Sequence, residues 1–415
     1  MEDASIKFAA LRRSRLPIKL AFYEPYPMGL GGNYLTQRLI LERLNRARFL
    51  PIVLAPREGA ALDRFRTMGV QCIVIPPPET LNRYGGAALR VGAFEKLKAA
   101  ADLVKYNLRL AKFLHERNID VVYANCVRAQ LSIGLAARLA RVPSLLYIKG
   151  ELANPFIDRL CFLMASRLLF FCAQNRDDRY PFFVRWFRRK IGILKIGLDP
   201  ALIAGAQGHD STALREELDI RPDRINTAVL AQLYRPKGQH LVIEALSRLV
   251  AEFPQVRLYL LGDHVLEEYR NYKTELEALI ERHGLTRHVL FTGWRKDALE
   301  IANLMDIVIH PSLAEGFGRA ILESLALGKP VIASAVGGAR EAIRDGQNGF
   351  LVKAGDVDAI TLRWRELLSN ERLRQRLGQE AKNTVFSEYL IDDKVARLAD
   401  IWAEMASGRK KECVA

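Results

Sequence analysis

The stretch HPSLAEGFGRAILESLALGKPVIASAVGGAREAI, residues 310–343, decides how the rest of the chain is read. An apolar strand ends at His310–Pro311, and a glycine-rich loop then leads into a helix. Glu315 sits in the loop, and Glu323 lies eight residues on, about a turn into the helix. Gly316 and Gly318 let backbone come close to a ligand. The start of the helix offers unpaired N–H groups to an anion. A carboxylate suits bidentate hydrogen bonding of vicinal hydroxyls, as on a ribose or a hexose. Phosphate on the N–H groups and hydroxyls on the carboxylates together describe a nucleotide sugar. His310 reads as a satisfied residue at a strand end rather than a catalyst.

Working outward, short apolar runs alternate with amphipathic segments in two blocks. The first block holds IKLAFY (18–23), FLPIVLA (49–55), QCIVIP (71–76), VVYAN (121–125), SLLYI (144–148), LLFFCA (168–173) and IGILKIG (191–197). Helical stretches such as Asn33–Asn45 and Leu97–Arg117 separate them, and RLCFLMASRLLFFC (159–172) reads as a core helix followed by a strand. The second block holds INTAVLA (225–231), RLYLLGD (257–263), VLFTG (289–293), IVIHPS (307–312), PVIASA (330–335) and GFLVKA (349–354). Apolar runs without alternation are strands covered on both faces, so each block is a doubly wound parallel sheet. The seam falls after KIGLDP (195–200), with 201–224 as a polar connection. The expected domains are 1–204, 205–386 and a helical tail, 387–415, packing back on the first domain.

Composition agrees and narrows the classes. A chain of 415 residues calls for two cores, and 50% apolar with 26% charged residues is a globular profile. No run of eighteen apolar residues and no signal-like leader is present, which points to a cytoplasmic protein. The five cysteines, at 72, 126, 161, 172 and 413, form no CxxC pair, so neither a disulfide framework nor a zinc site is expected. Charge is uneven: residues 1–200 carry 33 Lys/Arg against 16 Asp/Glu, and residues 201–415 carry 29 against 31. The basic excess therefore belongs to the first half and suits an anionic partner.

The ordered set Glu315-Gly-Phe-Gly-x4-Glu323, GKPVIAS and GGAREAI resembles the retaining family 4, or group 1, glycosyltransferases of the GT-B fold. Gly31–Gly32, IGLDP (196–200), Lys237–Gly238, LLGD (260–263), VLFTG and DGQNGFLV (345–352) extend the likeness over most of residues 18–354. The resemblance implies two Rossmann-like domains facing each other across a cleft, the second holding the donor and the first the acceptor. It implies that Glu323 binds the ribose and that Glu315 contacts the transferred sugar with the N–H groups of Gly316, Phe317 and Gly318. It further implies that Lys237 neutralises the diphosphate, that Gly31–Gly32 lets a loop approach it, and that Trp294–Arg295 reads the base. Lys237 and Glu315 are then the catalytic pair. The lysine has a reason of its own: charge develops on the departing phosphates, and fixed cations stabilise it where no metal-ligand cluster occurs. No metal or cofactor is expected beyond the nucleoside diphosphate sugar as co-substrate.

Two departures bear on the chemistry. The family's arginine before the lysine is replaced by Gln232, and Arg235 is the candidate to supply its charge. On the acceptor side, Lys149 stands where relatives carry histidine, so it suits an anionic group and not a neutral imidazole's role. Asn125 either caps a loop or touches substrate.

The basic half contains Arg12, Arg13 and Arg15, a basic helix pattern over Lys96–Lys112, and YPFFVRWFRRK (180–190) with aromatics between the cations. Such segments suit an anionic lipid surface. No nucleic-acid motif accompanies them. The expected function is transfer of a hexose, with retention, to a lipid-linked, polysaccharide or lipopolysaccharide acceptor, with peripheral membrane association. The alternative is a degenerate, non-catalytic GT-B protein that binds sugar nucleotides.

Overall fold

The structure, a computed structural model, describes residues 17–81, 93–149, 155–173, 185–264 and 270–412. Arg12, Arg13, Arg15, the Tyr180–Val184 part of the second basic segment and Cys413 lie outside them. The chain divides into two compact units, one running up to Lys195 and resuming at Ile391, the other spanning Ile196–Leu390.

The first unit is built on seven strands: β1 (Ile18–Tyr23), β2 (Phe49–Ala55), β3 (Gln71–Val74), β4 (Val121–Ala124), β5 (Ser144–Ile148), β6 (Arg167–Phe170) and β7 (Ile191–Ile193). They pair in the order β3-β2-β1-β4-β5-β6-β7, parallel throughout. The helices are α1 (Gly32–Arg43), α2 (Ala60–Thr67), α3 (Ala93–Glu116), α4 (Val127–Leu139) and α5 (Pro155–Met164). Every residue of β4 and β5 is buried, which explains the unbroken apolar runs: successive side chains point to opposite faces, and both faces are covered. Tyr23, Val122, Ala124 and Ile148 pack with Tyr106 and Leu110 of α3, Ile133 of α4 and Phe162 of α5. Phe22, Phe49 and Tyr123, from the opposite face, pack edge-on to Trp402 of the chain's last helix.

The second unit has six strands: β8 (Ile225–Leu230), β9 (Val256–Leu261), β10 (Val289–Gly293), β11 (Ile307–His310), β12 (Val331–Ser334) and β13 (Phe350–Val352). Their order, β10-β9-β8-β11-β12-β13, is again parallel and has the Rossmann arrangement. Its helices are α6 (Pro200–Gly208), α7 (Thr212–Glu217), α8 (Gln239–Leu249), α9 (Arg270–Arg282), α10 (Ala298–Asn303), α11 (Arg319–Ala326), α12 (Ala339–Ala342), α13 (Val357–Ser369) and α14 (Glu371–Glu388). The fully buried Trp364 of α13 anchors the core, its indole N–H donating to Thr227 Oγ1 at 3.2 Å.

The polar connection expected at 201–224 is largely helical: α6, which starts at Pro200, and α7 run through it. The Asp199 side chain accepts the Ala201 N–H at 3.0 Å and Pro200 occupies the first helical turn, so the end of IGLDP is a helix start. The tail forms two helices, α14 and α15 (Ile391–Glu412), broken at Tyr389, whose buried ring is tied through its hydroxyl to Glu341 O at 3.1 Å. Several strands stop one to four residues early, where the chain turns away from the sheet into loops.

Candidate functional site

In an open parallel sheet the carboxyl ends of the strands where the order reverses form the natural ligand crevice. In the second unit those strands are β8 and β11. The loop after β8 carries Gln232, Arg235 and Lys237, and the loop after β11 carries Ser312 and Glu315. Two contacts hold the loops together. The Leu313 N–H donates to Pro236 O at 2.7 Å. Gly238, in the left-handed region at φ +75°, lies so near Pro311 that an added Cβ would come within 2.2 Å of its carbonyl oxygen. No other residue fits that close approach.

Lys237 Nζ reaches Glu315 Oε2 at 2.5 Å, with the two side chains 23% and 19% exposed. Ser312 Oγ donates to the same oxygen at 3.3 Å, and the Gly316 N–H donates to Oε1 at 3.2 Å. The carboxylate is thus held beside Gly318, the left-handed residue (φ +81°) that starts α11. From the far side, the loop after β12 braces this turn: the Gly338 N–H donates to Gly316 O at 2.9 Å. Gly337, at φ +50°, sits so tightly that a Cβ would come within 1.9 Å of Gly316 O. Phe317 is buried and edge-packed on Tyr389 at 5.8 Å. Gly337→Ala should therefore displace the 315–318 turn and weaken nucleotide binding by at least about tenfold, by the rule that a residue strained at a special φ disturbs its surroundings. Gly346→Ala, also at positive φ but with open space around it, is the comparison. Equal affinities of the two variants by calorimetry would refute the bracing role.

Glu323 lies one turn inside α11, 3.6 Å from Arg319 Nη2. Burial pushes its carboxyl above the usual glutamate range, against the pull of Arg319. The Nε of Arg319 is itself buried without an acceptor. His310, at the end of β11, is buried; its ring is hydrogen-bonded to the Ala320 backbone, while Nε2 has no partner. Burial, aided by the Lys237 charge, lowers it to about 3, which keeps it neutral near pH 7.

Not every expected residue joins this cluster. Arg235 is exposed and ion-paired with Glu275 of α9, which draws its charge away from Glu315. Gln232 is also exposed, and its carbonyl accepts from Gln239 Nε2 at 2.8 Å. Arg295 is held by Glu217 and Asp297, while Trp294 is 74% exposed. Sequence reasoning passed over Ser312, Arg319 and Gly337. Arg319 had a visible signal, as a cation in the first turn of a helix where the dipole disfavours it.

In the first unit the reversal lies between β1 and β4. Gly31 caps α1 with φ −74° and open space for a Cβ, so neither its backbone nor its packing demands glycine. Gly32 is the first residue of α1. Asn125, just beyond β4, is used internally: Tyr123 Oη donates to its Oδ1 at 3.1 Å, and its Nδ2 donates to Asn33 O at 2.9 Å. Lys149 follows β5, its Nζ buried and 5.7 Å from the centre of the Tyr147 ring. Its charge acts on Glu24, at the end of β1, which is 1% exposed and accepts the Tyr26 N–H at 2.8 Å. Burial raises the Glu24 carboxyl against that hydrogen bond and the lysine. Glu24 was not foreseen in the sequence. Among the described residues no group of three or more His, Cys, Asp or Glu has metal-holding geometry. No described helix is long and apolar enough to cross a membrane.

Comparison with known proteins places these features in a wider set. Residues 210–384 match the family model described as "Glycosyl transferases group 1". The putative glycosyltransferase EpsD of Bacillus subtilis is 35% identical over 199 residues, which is 48% of this chain and 51% of that protein. The lipopolysaccharide core biosynthesis glycosyltransferase LpsE of Rhizobium meliloti is 32% identical over 175 residues, 42% of this chain and 48% of that protein. The chain thus spans about half the length of these curated relatives. Among solved structures, Anabaena HepE in complex with UDP superposes with a TM-score of 0.77 at 23% identity, covering 93% of this chain and all of that one. At that identity the likeness shows the fold, which is GT-B with two Rossmann-like domains.

Proposed function

We propose that this chain, whose residues 210–384 match the model of the group 1 glycosyl transferases, moves a hexose from a nucleoside diphosphate sugar to an anionic lipid-linked or polysaccharide acceptor. The observation that carries the reading is the Lys237–Glu315 pair beside the start of α11, with Glu323 one turn inside, at the strand reversal of the second unit. We assign donor binding to the second unit and acceptor binding to the first. Glu323 takes the ribose hydroxyls. Lys237 and the N–H groups at the start of α11 take the diphosphate, which replaces Glu315 as the lysine's partner. Glu315, released from Lys237, accepts hydrogen bonds from the transferred sugar, with the Gly316, Phe317 and Gly318 N–H groups alongside.

As the bond between sugar and diphosphate breaks, negative charge grows on the leaving phosphates, and a preplaced ammonium lowers that barrier. Asn125 and Lys149 in the first unit are assigned to the acceptor side. Retention of anomeric configuration rests on the resemblance to family 4 enzymes. The relatives' names support the acceptor class: LpsE acts in lipopolysaccharide core biosynthesis, and a Staphylococcus aureus relative, 23% identical over 356 residues, acts in capsular polysaccharide biosynthesis. One feature favours the non-catalytic reading instead. With Arg235 tied to Glu275, nothing replaces the charge missing at Gln232 on that loop.

The test is a thermal-shift screen of UDP-, GDP-, ADP- and dTDP-sugars with the wild type and Glu323→Gln. One nucleotide is expected to stabilise the wild type specifically. Hydrogen bonds to a charged acceptor are worth about 1.5–3 kcal/mol, so the variant should bind that nucleotide roughly tenfold to a hundredfold more weakly. Because burial raises Glu323, wild-type affinity should fall on acidification at a higher pH than an exposed glutamate would dictate, and the glutamine variant should not show that fall. Stabilisation by no nucleotide, from folded protein, would sink the assignment. Binding without transfer to any lipid or glycan acceptor would select the non-catalytic reading.

A further inference from the structure

On the first unit, α4 and α5 lie side by side over one face of the sheet, and the turn at 188–190 adjoins their carboxyl ends. Two hydrogen bonds fix the arrangement: Arg138 Nη1 donates to Leu163 O at 3.0 Å, and Lys190 Nζ donates to Ala165 O at 3.2 Å. The surface so assembled has an unusual make-up. Trp186 is 83% exposed, and Leu139, Leu160 and Leu163 are each about half exposed. Around them stand Arg138, Arg159, Arg185, Arg188 and Arg189, all exposed and none paired with a carboxylate among the described residues. The acid within α5, Asp158, is buried. Glu404 of α15 is spent on Arg167 at 2.5 Å.

The apolar side chains sit where packing against the sheet is already complete, since Cys161 and Phe162 of α5 fill the core side. On the other side of α4, α3 exposes Val104 and Leu108 beside Lys105 and Arg109, while Lys112 is paired with the exposed Glu116 at 3.7 Å.

We propose that this face docks the protein on an anionic lipid bilayer, with Trp186 and the leucines entering the headgroup layer and the arginines meeting lipid phosphates. Charge complementarity selects the partner: the α4–α5 face, with five exposed arginines and no exposed carboxylate among the described residues of α4, α5 and 185–190, repels another basic surface, including a second copy of itself. The apolar component separates a bilayer from a soluble polyanion. A nucleic acid or polysaccharide would use the arginines and leave Leu160, Leu163 and Trp186 in water. An indole among cations is suited to the interface, where its ring lies at headgroup depth. The inference stands on this surface alone and does not depend on the sugar chemistry of the second unit.

The experiment is co-sedimentation with sucrose-loaded vesicles of phosphatidylcholine, with and without 30 mol% (roughly a physiological anionic fraction) phosphatidylglycerol. A Trp294→Phe background leaves Trp186 as the exposed indole reporter. Binding to the anionic vesicles, with a blue shift of Trp186 emission, is the expected result. Each cation at such a surface is worth about a fivefold change in partitioning, so Arg185→Glu/Arg188→Glu/Arg189→Glu should lower it on the order of a hundredfold. Leu160→Ser/Leu163→Ser/Trp186→Ser should lower it at least about tenfold with all the arginines present. Circular-dichroism melts unchanged from wild type verify that the variants fold. Equal binding to neutral and anionic vesicles would overturn the proposal. So would wild-type partitioning of the arginine variant, or full retention by the serine variant, which would reveal a polyanion site. Loss of nucleotide binding by the wild type would touch only the function proposed for the second unit.

Discussion

Lys237→Ala is expected to slow sugar transfer by roughly a hundredfold to a thousandfold while weakening nucleotide binding far less. The magnitude is that of removing one preorganised group aimed at charge that develops in the transition state. The structure provides the preorganisation. Lys237 is three-quarters buried, fixed by the turn that ends at Gly238, and already within 2.5 Å of a carboxylate. Its partner's loop is tied to its own through Leu313 and Pro236. The lysine therefore need not be ordered at the moment of reaction. Two consequences separate this role from plain charge attraction. Lys237→Arg should recover little, because a planar guanidinium does not fit the place of a point charge. The loss should appear in kcat more than in KM, since an interaction that strengthens in the transition state acts on kcat. A variant whose KM rises while kcat holds would reassign Lys237 to ground-state binding. Arg235→Ala is the reference substitution, and with its charge already spent on Glu275 it should cost less than threefold.

Trp402→Ala is expected to destabilise the first unit by about 3–5 kcal/mol, the range for deleting a fully buried large aromatic side chain. Trp402 is completely buried and meets Phe22, Phe49 and Tyr123 edge-on, with ring centres 5.4–6.1 Å away. Those three rings come from β1, β2 and β4, the middle of the sheet. Removing the indole empties the place where a helix from the far end of the chain covers these strands. Because the protein has two units, a single global transition is not the right observable. Hydrogen exchange should show β1, β2 and β4 losing protection while β8 and β11 keep theirs. For a unit of this size the cost corresponds to a fall in its melting temperature of roughly 10 °C. Unchanged protection of β1 and β4 would mean that α15 contributes little to that unit.

The motif at 310–343 was readable because its chemistry is local. Glu315, the glycines and Glu323 fall within one strand-loop-helix passage, and eight residues of spacing determine where the second carboxylate emerges. The strands of both sheets were readable for a similar reason: burial on both faces of a parallel sheet writes unbroken apolar runs into the sequence. Their ends were less so. At Val74, Phe170 and Leu230 the apolar run continues past the last ladder pair, and composition does not mark where pairing stops. Residues 201–224 read as a polar connection although the short helices α6 and α7 run through them and Asp199–Pro200 signals a helix start.

Long-range questions went differently. Arg235 and Lys237 are two residues apart in one basic loop, yet one pairs with Glu275 and the other with Glu315. The direction of each side chain is set by α9 and by the β11 loop, both remote in sequence. Glu24 carries no motif, and its burial follows from its place at the end of β1, with the charge of Lys149 from beyond β5 acting on it.

By itself the sequence determined two parallel α/β sheets, a basic first half and the residues of the 310–343 motif, because periodicity, composition and short spacing are properties of neighbouring residues. Only the tertiary structure decided which cation meets Glu315 and which glycine braces the turn. It also decided which arginines stand near an exposed tryptophan with no carboxylate partner among the described residues. Those are matters of which surfaces meet after the chain has folded back over hundreds of residues, and no local pattern encodes that distance.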